Sequence, residues 1–112
     1  MTPGFKVTRS ATGPGPAVTL VVAGQIDMSV SPRLWDEMRK PLAAKEPLRL
    51  DLRGVTYIDS SGIAVLVQGY KLARKTSLPF VLVDPSASVL SVLELANLRE
   101  IFSIEDSRKP SS

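Results

Sequence analysis

The sequence of 112 residues contains no cysteine and no histidine. The first absence excludes a disulfide framework, a thiolate zinc site and a cysteine nucleophile. The second removes the commonest general base and the commonest metal ligand, so no serine here has an imidazole to activate it. No Gly-rich loop ends in Gly-Lys-Ser/Thr, the pattern that cradles nucleotide phosphates. No enzyme activity, no metal site and no cofactor are therefore expected. Aromatic residues are 5% of the chain, too few for the basic-aromatic surface that single-stranded nucleic acid requires, and no direct nucleic-acid partner is expected. The longest strongly apolar run, Ala17 to Ala23, is far short of the ~20 residues of a membrane helix. Met1 to Ser10 lacks the apolar core of a signal peptide, which leads to an expectation of a cytoplasmic protein.

What is present is an ordinary globular composition, 44% hydrophobic and 22% charged, incompatible with a disordered chain, a collagen-like repeat or a coiled coil. Length and composition predict a single domain over residues 1–112, with a core of about 5–104 and a polar C-terminal tail over 105–112. Lys and Arg number 14 against 11 Asp and Glu, a net charge of +3. The two signs are interleaved, which fits a solvated surface; a weak preference for an acidic partner or an anionic membrane surface is the alternative.

Phe5 to Arg9 alternates apolar and polar as a half-exposed strand does, and the β-branched run Ala17 to Ala23 predicts a more buried one, stopped by Gly24. Thr12 to Pro16 reads as the turn between them. Ser29 to Ala44 predicts a helix, with Ser31 as N-cap, Pro32 at the first position and Pro41 ending or kinking it. In Pro47 to Leu52 the leucines fall on one face and Arg49, Asp51 and Arg53 on the other. A strand buried on both sides would be apolar throughout, so the sheet is expected to carry helices mainly on one face. Ser61 to Thr76 and Ser86 to Leu98 have helical spacing, Pro79 to Asp84 is a continuous apolar strand, and Ile101 to Ile104 a short edge strand. The order β-β-α-β-α-β-α-β predicts an α/β fold with a mixed sheet: right-handed parallel crossovers and one antiparallel edge.

The junction Tyr57-Ile58-Asp59-Ser60-Ser61-Gly62-Ile63 opens the second helix. In one reading Asp59 or Ser60 is simply the N-cap, and Gly62 permits a tight entry. In the other, a serine hydroxyl here is a phosphorylation site, displayed where a helix N-terminus can hold a phosphate dianion. Asp27, after Gly24-Gln25-Ile26, is either a local turn residue or, if the second and third strands are neighbours, a second acid beside Ser60. Gly62→Ala is expected to be costly only if Gly62 has positive φ.

These segments resemble the STAS domain family, in particular the bacterial anti-sigma factor antagonists. Gly24-Gln25-Ile26-Asp27 is similar to the family's Gly-Glu-apolar-Asp turn, with Gln25 in place of Glu. Leu50-Asp51-Leu52 with Val55 and Ile58 resembles its central strand, and Asp59-Ser60-Ser61-Gly62-Ile63 its phosphorylation motif. Leu93 to Leu98 and Ile101-Phe102 resemble its last helix and closing strand. The resemblance implies a STAS-like mixed sheet and a partner-switching role in transcription regulation. Its partners would be an anti-sigma factor that is also a serine kinase of GHKL type, and a phosphatase that resets the cycle. By carry-over Ser60 is the phosphoacceptor, Ser61 the lesser candidate, and Asp27, Asp59 and Gly62 shape the site. The alternative is a STAS accessory subunit of a lipid or anion transporter, bound to a membrane permease without a phosphate cycle. Leu90 and Leu95 suit either docking role, or merely cover core edges. A basic balance and a cationic second helix, with Gln68, Lys71, Arg74 and Lys75, depart from the antagonist pattern.

Overall fold

The structure is a computed structural model that describes residues 4–10 and 15–107. The N-terminal part of the expected 12–16 turn, residues 1–3 and the last five residues of the expected tail lie outside the described residues. The chain runs β1 (Lys6–Ser10), β2 (Val18–Ile26), α1 (Ser31–Ala43), β3 (Leu48–Ile58), α2 (Ser60–Lys75), β4 (Phe80–Val83), α3 (Ala87–Leu95), a 3-10 turn (Arg99–Ile101) and β5 (Ser103–Glu105). The sheet order is β1-β2-β3-β4-β5. β1 pairs antiparallel with β2, and every later neighbour is parallel. Right-handed crossovers that step always in one direction leave their helices on one side of the sheet. Leu20, Val22, Leu50, Leu52 and Leu82 accordingly meet Leu34 and Met38 of α1, Leu66 of α2 and Leu93 of α3 in one core.

The opposite face is the charged one expected from β3. Arg49 lies across it and donates two hydrogen bonds to Glu105, at 2.7 and 2.9 Å. Arg53 pairs with Asp84, whose carboxylate is fully buried. The same carboxylate accepts from the Ser107 backbone N–H and hydroxyl, both at 2.7 Å. Ser107, within the stretch read from the sequence as a polar tail, is thereby held to the end of β4. Ser107 above all, and then Arg53, hold the Asp84 carboxyl down at about 2 despite burial, which opposes ionisation. A depressed carboxyl stabilises the fold above its unfolded pKa, and loses that contribution as pH falls through the folded value. Asp84→Asn is thus expected to lower the urea midpoint at neutral pH, and to flatten its fall between roughly pH 4 and pH 2. Equal acid slopes for the two chains would contradict this.

β3 is much longer than the alternating run Pro47 to Leu52. Its register with β2 jumps twice, between Val21↔Asp51 and Ala23↔Gly54 and between Gly24↔Val55 and Gln25↔Tyr57, each time with one extra residue in β3. The inward positions therefore run 48, 50, 52, 55, 58, and an extra residue at each irregularity disguises a strand that reads clearly only where its period is two. β2 likewise does not stop at Gly24 but passes through it at φ +95 to Ile26. A Cβ at Gly24 would lie 2.6 Å from the Gly4 carbonyl oxygen, so this is glycine at a close backbone approach rather than at a strand end.

α1 falls within the expected Ser29 to Ala44 span, but Val30 rather than Ser31 takes the N-cap place, and Ser31 is the first helical residue, without a side-chain cap. Pro41 does not end it. The ring is buried and extends the apolar face next to Met38 and Leu42, and only two helical residues follow. Ser86 caps α3 by accepting from the Val89 N–H at 3.3 Å, and α3 ends at Leu95 rather than Leu98.

Candidate functional site

The two sequence-predicted acids leave adjacent strands of one sheet edge. Ile26 and Ile58 are partners in the parallel β2–β3 ladder, so Asp27 and Asp59 follow side by side. The Asp59 N–H closes the junction by donating to the Ile26 carbonyl at 3.1 Å. Each acid then makes the same local structure with the serine two residues on. Asp27 Oδ1 accepts from the Ser29 N–H at 2.9 Å and the Ser29 hydroxyl at 2.6 Å. Asp59 Oδ1 accepts from the Ser61 N–H at 2.9 Å and the Ser61 hydroxyl at 2.6 Å. Asp27 is thus a turn residue in its contacts, and Asp59, not Ser60, is the N-cap of α2, with extended backbone at φ −106, ψ −173.

This geometry separates the two serines. The Ser61 hydroxyl is half-buried and committed to Asp59. Ser60, the first residue of α2, is exposed, and its hydroxyl has no hydrogen-bond partner among the described residues. Asp59 also accepts from the Gly62 N–H at 3.2 Å. The Ser61 hydroxyl bond first, helped by the amides of Gly62, Ser61 and Met28, holds the Asp59 carboxyl below the usual carboxylate range against the opposing effect of burial. A full negative charge therefore stands beside Ser60 at neutral pH.

One expectation changes. The helix start was expected to hold a phosphate dianion on its free amides. The amides of Ser61 and Gly62 already serve Asp59, and the Ile63 N–H serves the Asp59 carbonyl. These three amides are therefore not free to take a charged group on Ser60.

Gly62 lies within α2 with no positive φ and is buried where the helix meets the strand ends. A Cβ there would come within 2.6 Å of Ile58 Cγ1 and 2.7 Å of Ile26 Cγ2. Gly62 therefore lets α2 sit directly on the two isoleucines that deliver Asp27 and Asp59. Sequence reasoning missed two exposed neighbours, Met28 at 73% exposure and Tyr57 at 49%. Tyr57 was findable as the residue before the inward Ile58; Met28 carries no periodic signal, because it lies in a turn. Leu95, foreseen as a docking residue, is 85% exposed and sits at the far end of α3, whereas Leu90 is only partly exposed. Among the described residues no group of three or more acids could hold a metal ion, and no helix is long and apolar enough to cross a membrane.

Comparison with known proteins follows the same lines. The family model described as the Mlab STAS domain matches residues 10–104. The anti-sigma-B factor antagonist of Listeria monocytogenes is 32% identical over 91 residues, which cover 80% of this chain and 79% of that protein. Among solved structures, an anti-sigma factor antagonist from Mycobacterium paratuberculosis superposes with a TM-score of 0.80 at 22% identity, covering 94% of this chain and 90% of its own. The Bacillus cell fate determinant SpoIIAA in its phosphorylated form gives 0.70 at 14% identity, covering 95% and 93%. The chain belongs to the STAS domain family, in company with relatives that are anti-sigma factor antagonists.

Proposed function

We propose that this protein is an anti-sigma factor antagonist whose binding is switched by phosphorylation of Ser60. The unmodified chain docks, through the surface around the start of α2, onto an anti-sigma factor that is also a serine kinase of GHKL type, and so frees a sigma factor. Transfer of a phosphoryl group to the Ser60 hydroxyl releases the complex, and a phosphatase restores the serine. The observation that carries this reading is the contrast between neighbouring hydroxyls: Ser60 is exposed and unengaged among the described residues, while Ser61 is spent on the N-cap. Met28, whose amide reaches Asp59, and Tyr57, three residues before Ser60, supply exposed apolar area, the kind of anchor a protein interface uses. The existence of a phosphorylated form of SpoIIAA, which shares the fold, supports a modification at such a protein's surface.

The test is phosphorylation in vitro. The purified chain is incubated with ATP and each anti-sigma kinase encoded in the source genome, and its mass is followed. A gain of one phosphate is expected, lost completely in Ser60→Ala and kept in Ser61→Ala. Loss in Ser61→Ala alone would move the acceptor by one residue.

The Mlab description of the matched family model favours a second reading, an accessory subunit docked on a membrane permease. Stable binding to a permease, with no phosphate uptake from any kinase, would establish that reading in place of the first.

A further inference from the structure

We propose that the outer face of α2 beyond Ser60 is a second contact for the same partner, and that the partner surface meeting it is acidic. The proposal rests on the phosphorylation reading above and adds the chemistry of the surface that the partner must present.

Among the described residues, six of the twelve cations are held in ion pairs. Arg9 pairs with Glu46, Arg39 and Lys40 with Asp36 and Glu37, Arg49 with Glu105, Arg53 with Asp84, and Arg99 with Glu94. α2 is different. Its sixteen residues include no acid, and Lys71, Arg74 and Lys75 are all exposed. Among the described residues none of the three is in an ion pair; Arg74 donates to the Tyr70 hydroxyl at 2.9 Å and keeps its charge uncompensated. The acids of the adjoining helix α1, Asp36 and Glu37, are already neutralised by Arg39 and Lys40. Arg74 and Lys75, in the last turn, answer the helix dipole. Lys71 stands one turn further in, where that effect has faded.

The position of Lys71 ties this charge to the site. Eleven residues at about 100° each return to within about 20° of the starting azimuth, so Ser60 and Lys71 share one stripe of the helix, about 16 Å apart along its axis. Exposed Ala64 and half-buried Val67 lie between them, and neither stands up to block a partner lying along the helix. A partner that covers Ser60 and follows α2 thus brings its own surface over Lys71 and Lys75, where only acidic groups avoid leaving two cations unanswered. The separation also exceeds the ~8 Å Debye length at physiological salt. A phosphate on Ser60 therefore leaves this cationic end effective, and the phosphorylated chain keeps the power to meet its partner while losing the power to stay bound.

The decisive measurement uses the full chain and the kinase that phosphorylates Ser60. Lys71→Glu/Lys75→Glu is expected to raise KM for the chain roughly tenfold at low salt, to leave kcat unchanged, and to abolish the rise of KM with salt seen in the parent. Lys71→Gln/Lys75→Gln should fall between, and thermal melting of each variant checks that the fold is kept. Parent-like KM and salt dependence in the charge-reversed chain would overturn the second contact while leaving Ser60 as the acceptor. If no kinase modifies the parent chain, the phosphorylation reading itself falls, and this contact with it.

Discussion

Ser60→Asp is expected to weaken binding to the anti-sigma partner at least tenfold while the chain melts within about 2 °C of the parent. The two halves have separate physical causes. Stability is spared because Ser60 makes no contact that the fold uses: it is exposed, outside the core, and its hydroxyl is unengaged among the described residues. A carboxylate in the first turn of a helix gains up to about 1 kcal/mol from the dipole, and repulsion from ionised Asp59 offsets part of it, so the net change is small. Binding is not spared, because the added charge finds the nearest helix amides taken. Asp59 holds the amides of Ser61 and Gly62, so the new carboxylate faces whatever covers Ser60. An unpaired charge trapped in an interface costs ~2–5 kcal/mol, well over tenfold in affinity. Titration calorimetry paired with thermal melting reads both quantities. Unchanged affinity would refute the switch, and a large fall in melting temperature with binding intact would show that Ser60 is structural.

Gly62→Ala is expected to destabilise by about 1–2 kcal/mol and to lower the melting temperature by several degrees. Backbone preference argues the other way, since alanine in a helix is favoured over glycine by about 1 kcal/mol. Packing decides the sign. The added methyl meets Ile58 Cγ1 at 2.6 Å, Ile26 Cγ2 at 2.7 Å and Ile58 Cδ1 at 3.0 Å. Both isoleucines are buried, Ile26 completely, so they have no open space to move into, and forcing an extra methyl into a close-packed core costs roughly 1–3 kcal/mol. The displacement would fall on the two strand ends that hold Asp27 and Asp59, and phosphorylation of Ser60 should slow in parallel with the loss of stability. A neutral or stabilising result in urea denaturation would show that α2 can lift from the sheet without cost. The φ-based expectation, in which a helical Gly62 tolerates alanine, weighs conformation alone; neighbours are a separate requirement, and only the first is local.

Much of the site was legible in the sequence. Asp, Ser and Gly at a strand-to-helix junction carry their own chemistry: the N-cap is made by residues two and three apart, and their bonds form wherever such a helix starts. Choosing Asp59 over Ser60 as the cap, and so freeing the Ser60 hydroxyl, needed the actual backbone. The second half of β3 was hidden, because two register shifts break the period of two that makes a strand visible. Gly24 read as a stop because glycine usually punctuates strands; here the approach of the Gly4 backbone, a partner some twenty residues away, demands it. Asp84 read as the last residue of an apolar strand, and nothing local shows that Arg53 and Ser107 converge on it.

The sequence by itself determined the element order, the one-sided sheet and the chemical identity of the junction, because periodicity, capping and turn preferences act over a few neighbouring residues. Only the tertiary structure decided that Asp27 and Asp59 emerge together, that Gly62 is held by Ile26 and Ile58, and that the Met28 amide reaches Asp59. Those facts depend on the parallel pairing of β2 with β3 and the packing of α2 across their ends, contacts between segments far apart in the chain whose geometry no local pattern encodes.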